Sequence, residues 1–456
     1  MPQIIFAKQA LTARGWRGNI AITIDDAGRI SALAEARPDQ TANGGIILPA
    51  PSNVHSHSFQ RAMAGLAERR GESDHDDFWT WRKVMYRFLD MLTPDDIETI
   101  AALVQMEMLE AGYGSVGEFH YLHHGAGGAP YDNKAELSLR HFAAAKLTGI
   151  GLTHLPVLYM RGGMDGRALA GGQLRFKNSL DEFTSLHAAL SREMRALPAD
   201  FTLGVAPHSL RAVSREGLGA AVKLAGNAPV HIHAAEQAGE VEAVTAALGA
   251  RPIRWLLDNM PVDARWCFIH ATHMDDSEVD DLAASGAVAG LCPLTEANLG
   301  DGTFRAQRYL SAGGKFGLGA DSNIKISLAE ELRQLETSQR LAKRRRVVLT
   351  SAATPSNGRY LYQRAANGGA QAIGRNSGEI KLGAYADLVR LDDNHNAICA
   401  LKDDDILDGW IFASDDSLVR DVWSAGRHVV KAGRHIHREA ISQGFNKTIR
   451  RLRSSL

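Results

Sequence analysis

The sequence is short of cysteine. Three cysteines stand in 456 residues, at positions 267, 292 and 399, and no two share a CxxC spacing. So sparse and odd a count gives no disulfide framework and fits a reducing cytosol, so a cytoplasmic location is expected. An excess of either charge is also missing. Lys and Arg number 51 against 52 Asp and Glu, for a formal net charge of -1. Without a global field, neither nucleic acid nor an anionic membrane is an expected partner. The one basic run, Lys343-Arg344-Arg345-Arg346, ends a predicted helix, where it complements the helix dipole in solvent. No apolar run is long enough to span a bilayer. The opening residues, MPQIIFAKQALTARGW, lack the charged n-region and long apolar stretch of a signal peptide. There is no short-period repeat and no low-complexity segment. What remains is a soluble globular composition, 45% hydrophobic and 23% charged, long enough for one large domain and a smaller one.

Residues 3–48 alternate without a helical period. IIFAKQALTA, NIAITID and RISALA read as short antiparallel strands, with a turn at Asp26-Ala27-Gly28. A similar texture returns at 378–392 and 418–433. Two β-rich pieces flanking a long middle predict one small β-sandwich domain from residues 1–48 and 376–456. The middle, 49–375, alternates strand and helix. Its predicted strands are 46–50, 115–121, 151–158, 201–206, 228–233, 266–270, 288–291 and 316–320. The clearest helix covers 93–112. Thr93 can cap it, Pro94 suits its first position, and Gly112 can end it. Ile97, Ile100, Ala101, Val104 and Met108 form its apolar stripe. Eight βα units in series predict an α/β fold, a (β/α)8 TIM-like barrel with the β-sandwich attached. The Gly-rich stretches 125–129 and 162–172 read as long loops, the second a candidate lid.

Eighteen histidines are many for such a chain, and several fall at strand ends. In a barrel of this kind the chemistry sits at the C-terminal ends of the strands. The first strand leads into His55-Ser56-His57, and alternate residues of a strand face one way, so two imidazoles aim at one point. The fifth ends in VHIHAAE, carrying His231, His233 and Glu236. The sixth ends in IHATH, carrying His270 and His273. The eighth runs into GLGADSN, carrying Asp321. His55, His57, His233 and Asp321 are therefore the expected ligands of one divalent ion, with a position left open for water. The fourth strand, FTLGVAP, holds no lysine to bridge a second ion. His231 is expected as a deeper core histidine and His273 as a neighbour or loop residue. A single metal generates hydroxide near neutral pH. His270 is the candidate base for the water's proton. Glu236 is the candidate anchor or proton donor for a substrate nitrogen, and Asp321 a second route for a proton to a leaving amine.

This pattern resembles the amidohydrolase superfamily. HxH falls on strand 1, His on strands 5 and 6, and Asp on strand 8. The closing signature GEIKLGAYADLV, starting at Gly378, is present too. His233-Ala-Ala-Glu236 without the strand-4 lysine is similar to its mononuclear deaminase branch. Longer stretches narrow the resemblance to the formimidoylglutamate deiminase family. They are HSHSFQRAMAGL from His55, EFHYLHH from Glu118, PHSLRAV from Pro207 and TEANLGDG from Thr295. Ser58 and Leu294 depart from that family's pattern, where Ala and Thr are expected. The resemblance spans nearly the whole chain. It implies hydrolysis of N-formimino-L-glutamate to N-formyl-L-glutamate and ammonia, a step of histidine breakdown. It also places Gln60, Arg82, Tyr121, His208 and Arg211 at substrate-binding positions, and a small dicarboxylate calls for such arginine forks and tyrosine or histidine donors. Zinc is the expected ion, with Fe2+ and Mn2+ suiting the same donors. A homodimer is the expected assembly. Two other readings stand beside this one: a ring deaminase of the same branch acting on a purine or pyrimidine, and a non-catalytic scaffold of the same fold.

Overall fold

A computed structural model of the chain describes residues 2–42, 44–68 and 85–454. Arg82 and the aromatic-rich residues around it lie outside that set. Among the described residues, no helix is long and apolar enough to cross a membrane.

The chain opens with β1 (Gln3–Thr12), β2 (Gly15–Ile24) and β3 (Ile30–Glu35), an antiparallel meander. On β2 the alternate residues Ile20, Ile22 and Ile24 are buried, as a period of two requires. The expected turn between β2 and β3 is present. Gly28 takes φ +73, and a Cβ there would lie 2.1 Å from the Ala425 carbonyl oxygen, so only glycine fits. Then comes β4 (Ile46–Pro49). It was expected as the first barrel strand, but it pairs with β1 on one side and with a C-terminal strand on the other. The reason is local. Pro49 and Pro51 bracket Ala50 and break the ladder, so the chain leaves the small sheet there and starts a new strand.

That new strand, β5 (Ser52–Ser56), is the first of the barrel. It is followed by β6 (Ser115–His120), β7 (Gly151–Leu158), β8 (Thr202–Leu203), β9 (Ala206–Pro207), β10 (Val230–Ala234), β11 (Trp266–His270), β12 (Val288–Leu291) and β13 (Lys315–Leu318). Their ladders are parallel, in the order β10-β11-β12-β13-β5-β6-β7-β8. The fourth predicted strand is split into β8 and β9, and both pair with β7. Val205, between them, bridges to Val230 and closes the circle. Helices fill the crossovers. The helix Pro94–Glu110 starts with a reciprocal cap between Thr93 and Asp96, and the stripe predicted for it is buried.

The chain then returns through β14 (Leu388–Leu391), β15 (Val419–Ser424), β16 (Arg427–Lys431) and β17 (Arg434–His435). They complete the small sheet in the order β17-β16-β15-β14-β4-β1-β2-β3. It encloses a core of Ile5, Ile20, Ile22, Ile24, Ile30 and Ile47 with Leu388 and Trp423. A buried ionic knot ties this domain to the barrel. The Arg375 guanidinium donates to both oxygens of Asp387 at 2.6 and 3.0 Å, and to Asp200 Oδ2 at 3.1 Å. Arg427 donates to the same Asp200.

Candidate metal centre and active site

The strand β5 carries His55 one residue before its end at Ser56, and the chain turns immediately at His57. Two backbone bonds tie this turn to the end of the eighth barrel strand: Asp321 N–H donates to His55 O, and His57 N–H to Asp321 O, both at 2.9 Å. Gly319 makes the approach possible, because a Cβ there would lie 2.7 Å from that of His55. Asp321 itself takes φ +44, as His270 does at +68 and Ala235 at +56. Left-handed non-glycine residues cost about 1–3 kcal/mol each. Several of them collect on this rim, where the backbone turns sharply to aim side chains inward.

Four donor atoms meet at one point. His55 Nε2 lies 3.2 Å from His57 Nε2 and 3.1 Å from His233 Nε2. Asp321 Oδ1 is 3.3 Å from Nε2 of both His55 and His57. The protons are placed by the backbone. His57 Nδ1 donates to Phe119 O at 3.0 Å, and His233 Nδ1 to His208 O at 3.2 Å. Each of these rings therefore turns a bare Nε2 lone pair toward the others. Burial, and next the facing His57, push the His55 imidazole down to about 3. Burial also lowers His57 and His233. For Asp321 burial acts upward, but the His55 hydrogen bond and the facing imidazoles hold its carboxyl below the usual range. Neutral imidazoles and an ionised carboxylate, all buried, converge without a positive charge of their own. That donor set fits a divalent transition ion. The four expected ligands are the ones brought together.

Beside them stands a proton-handling group. His270 Nε2 lies 3.8 Å from Glu236 Oε1 and 4.0 Å from Asp321 Oδ2. Its other nitrogen faces Glu296 Oε1 at 3.3 Å. Burial opposes charge on His270, but Glu236, Glu296 and Asp321 together raise it well above an ordinary imidazole. Burial in turn raises the Glu236 carboxyl. The pair is thus built to hold a proton between them.

One pocket opens over both groups. It is lined by His57, Gln60, Tyr121, His208, Arg211, His233, Glu236, His270 and Asp321. Gln60 Nε2 donates to Tyr121 Oη at 2.8 Å, and the His208 ring lies edge-on to Tyr159 and tilted against His233, with centroids 4.6 and 4.8 Å apart. Of the substrate positions expected from the sequence, Gln60, Tyr121, His208 and Arg211 lie in this pocket. Arg82 is outside the described residues. Met85, Tyr159, Phe176 and Leu299 also line it and were not foreseen. His231 is a core residue, its Nε2 bonded to Ala372 O at 2.7 Å, and His273 bonds the Asp301 carbonyl.

Two glutamates also escaped the sequence reading. Glu296 orients His270 and accepts from Cys292 N at 2.8 Å. Glu240 accepts from the backbone N–H groups of Ala235 and Glu236, at 3.2 and 3.0 Å, and so fixes the turn that carries Glu236. Each is a glutamate in the first turn of a helix, which on sequence reads as a capping residue. The spacing of Glu240 four residues after Glu236 was the available signal.

The fold and this centre define the class. A model of the amidohydrolase family matches residues 46–429, and the chain belongs to that family. A second model, described as the N-terminal domain of the formimidoylglutamate deiminase HutF, matches residues 2–45. The chain is 48% identical over 448 residues to the formimidoylglutamate deiminase of Pseudomonas aeruginosa, covering 97% of each sequence. A crystal structure of an amidohydrolase from Brucella melitensis superposes with a TM-score of 0.93 at 47% identity, covering 99% of both chains. An adenosine deaminase from Xanthomonas campestris, solved with bound zinc, shares the fold at a TM-score of 0.81 and 21% identity, covering 99% of this chain and 98% of that one.

Proposed function

We propose that the protein hydrolyses N-formimino-L-glutamate to N-formyl-L-glutamate and ammonia, a step of histidine degradation. The observation that carries this reading is the end-to-end match to a formimidoylglutamate deiminase. The pocket suits the substrate chemically. An amidine presents N–H donors, and the Glu236 carboxyl beside His270 offers them an acceptor. Arg211, His208 and Tyr121 offer donors for two carboxylates. Apolar Met85, Phe176 and Leu299 suit the methylene chain between them.

His55, His57, His233 and Asp321 would hold one divalent ion, zinc in this reading, with iron and manganese suiting the same donors. When bound, such an ion supplies a Lewis acid that brings the pKa of water toward neutrality. The residues do the rest. With part of the negative charge that raises it offset by an ion held by Asp321, His270 takes a proton from the attacking water. Glu236 holds the formimino nitrogen. As oxygen bonds to the formimino carbon and the bond to the terminal nitrogen breaks, His270 or Asp321 returns the proton to the departing ammonia, and the other receives the proton the new hydroxyl gives up as the carbonyl forms. Arg211, Tyr121, His208 and Gln60 fix the substrate's carboxylates, so that orientation is set at binding. The reading includes a cytoplasmic homodimer, for which sedimentation of the purified protein is the check.

The test is ammonia release from N-formimino-L-glutamate, beside N-formimino-glycine, guanine and cytosine. Turnover of the glutamate derivative, with little from the glycine one, supports two-carboxylate recognition. Activity on a ring with none on the glutamate derivative would replace the substrate and remove Arg211 from its role.

A further inference from the structure

The turn that carries His57 has a problem of backbone bonding. Strand β5 shifts register against β6 between Asn53 and Ser56, and the ladder stops there. Ser58, the residue after His57, is 1% exposed, so its N–H must find a partner inside the protein. That partner is a side chain. Glu118 Oε1 accepts from Ser58 N at 2.9 Å and from Ser58 Oγ at 2.8 Å. Glu118 is itself 2% exposed. The next residue, Phe119, supplies the carbonyl that holds His57 Nδ1–H, and its ring packs against His55, His57 and His233 at 4.5–5.3 Å between centroids. The dipeptide Glu118-Phe119 therefore grips His57 twice. Phe119 fixes the imidazole and Glu118 fixes the peptide behind it. Among the described residues, no arginine or lysine forms an ion pair with Glu118. His141 Nδ1 lies 3.8 Å from its Oε1. A buried carboxyl placed there at the cost of desolvation needs a task, and the task the geometry offers is the Ser58 turn.

We infer that Glu118 is a positioning residue of the metal centre, which sets the affinity for the ion by holding the turn after His57 without touching substrate or ligand atoms. The inference rests on reading His55, His57, His233 and Asp321 as that centre. Ser58, one of the two departures from the expected family pattern, belongs to the same clasp, since its hydroxyl adds a second bond to the carboxyl.

The experiment compares Glu118→Ala, Glu118→Gln and Ser58→Ala with the wild type. It measures zinc affinity by chelator competition, kcat and KM with N-formimino-L-glutamate at saturating zinc, and the thermal midpoint of the metal-free protein. Changes to groups that orient metal ligands lower affinity or activity by about 10- to 100-fold. Glu118→Ala is expected to weaken zinc binding within that range and to lower kcat, with KM within about twofold. Glu118→Gln keeps an acceptor in place and is expected to recover most of the loss. It also stands in should the alanine variant fail to fold. Ser58→Ala keeps the backbone bond and is expected to lose only a few-fold. Zinc affinity and kcat unchanged in Glu118→Ala, or a Gln variant as impaired as the Ala one, would overturn the inference. Wild-type protein that binds no zinc, iron or manganese would overturn the underlying reading as well.

Discussion

Single residues on the rim act in pairs whose charges are set by one another. His270 faces Glu236, Asp321 and Glu296, and those carboxylates raise its pKa against the effect of burial. Glu296→Gln removes one of the negative charges and is expected to lower that pKa. The limb of the pH–rate profile that reports His270 should move to lower pH, and kcat should fall by about 100-fold. Measuring kcat from pH 5 to 10 checks both, and an unchanged profile would remove Glu296 from the proton path. At this scale the sequence was informative where a residue type is rare in its position. HxH, His233, His270 and Asp321 stand out because strand ends of one predicted barrel deliver metal-binding side chains to a single rim. Glu240 and Glu296 were hidden because a glutamate early in a helix is ordinary. Their role depends on which backbone or ring they face, and only the folded turn shows that.

Between β6, β7 and the helix Glu136–Thr148 lies a second group of histidines, away from the pocket. His120, His123, His141 and His154 are all buried. Ring centroids of His120 lie 4.5, 5.2 and 5.5 Å from those of His141, His154 and His123. Burial first, and the facing imidazoles next, hold His154 well below its ordinary value. The unfolded chain therefore takes up the proton before the folded one. The stability this histidine contributes is complete above pH 6.5 and is lost as the pH falls below it, by about 1.4 kcal/mol per unit. Its Nε2 bonds Ser138 Oγ at 3.0 Å. His154→Leu is expected to flatten the acid side of the stability curve. Urea unfolding of metal-free protein at pH 5, 6, 7 and 8 checks this, and parallel curves for variant and wild type would contradict it. Elements differ in how far they can be read ahead. The helix 93–112 was legible from its cap and stripe. The run IILP at 46–49 was not, because a short, wholly buried apolar strand fits either sheet. Its partners decide, and pairing with β1 and β14 is a tertiary fact.

The whole molecule is a barrel carrying a small domain made from both chain ends, joined through Arg375. This guanidinium is 3% exposed in its side chain and bridges Asp387 of the segment leading into β14 to Asp200 at the base of the barrel. Arg375→Met leaves two buried carboxylates short of a partner and is expected to cost about 3–5 kcal/mol, with kcat unchanged. Chemical unfolding and steady-state kinetics on the same sample check it, and a variant as stable as wild type would show the knot to be dispensable. Two domains from interleaved ends were legible because the β texture returns after the long αβ middle. The knot that couples them was not, since Asp200, Arg375 and Asp387 lie far apart in sequence. We propose that one divalent ion, held by His55, His57, His233 and Asp321, runs the hydrolysis of N-formimino-L-glutamate. The most direct test titrates zinc into metal-free protein while ammonia release is followed. Activity should be negligible at the start, rise in proportion to added metal, and level off at one equivalent per chain. His233→Ala, folded by circular dichroism, should stay inactive throughout. Full turnover by metal-free protein, or a plateau that needs two equivalents, would contradict the claim.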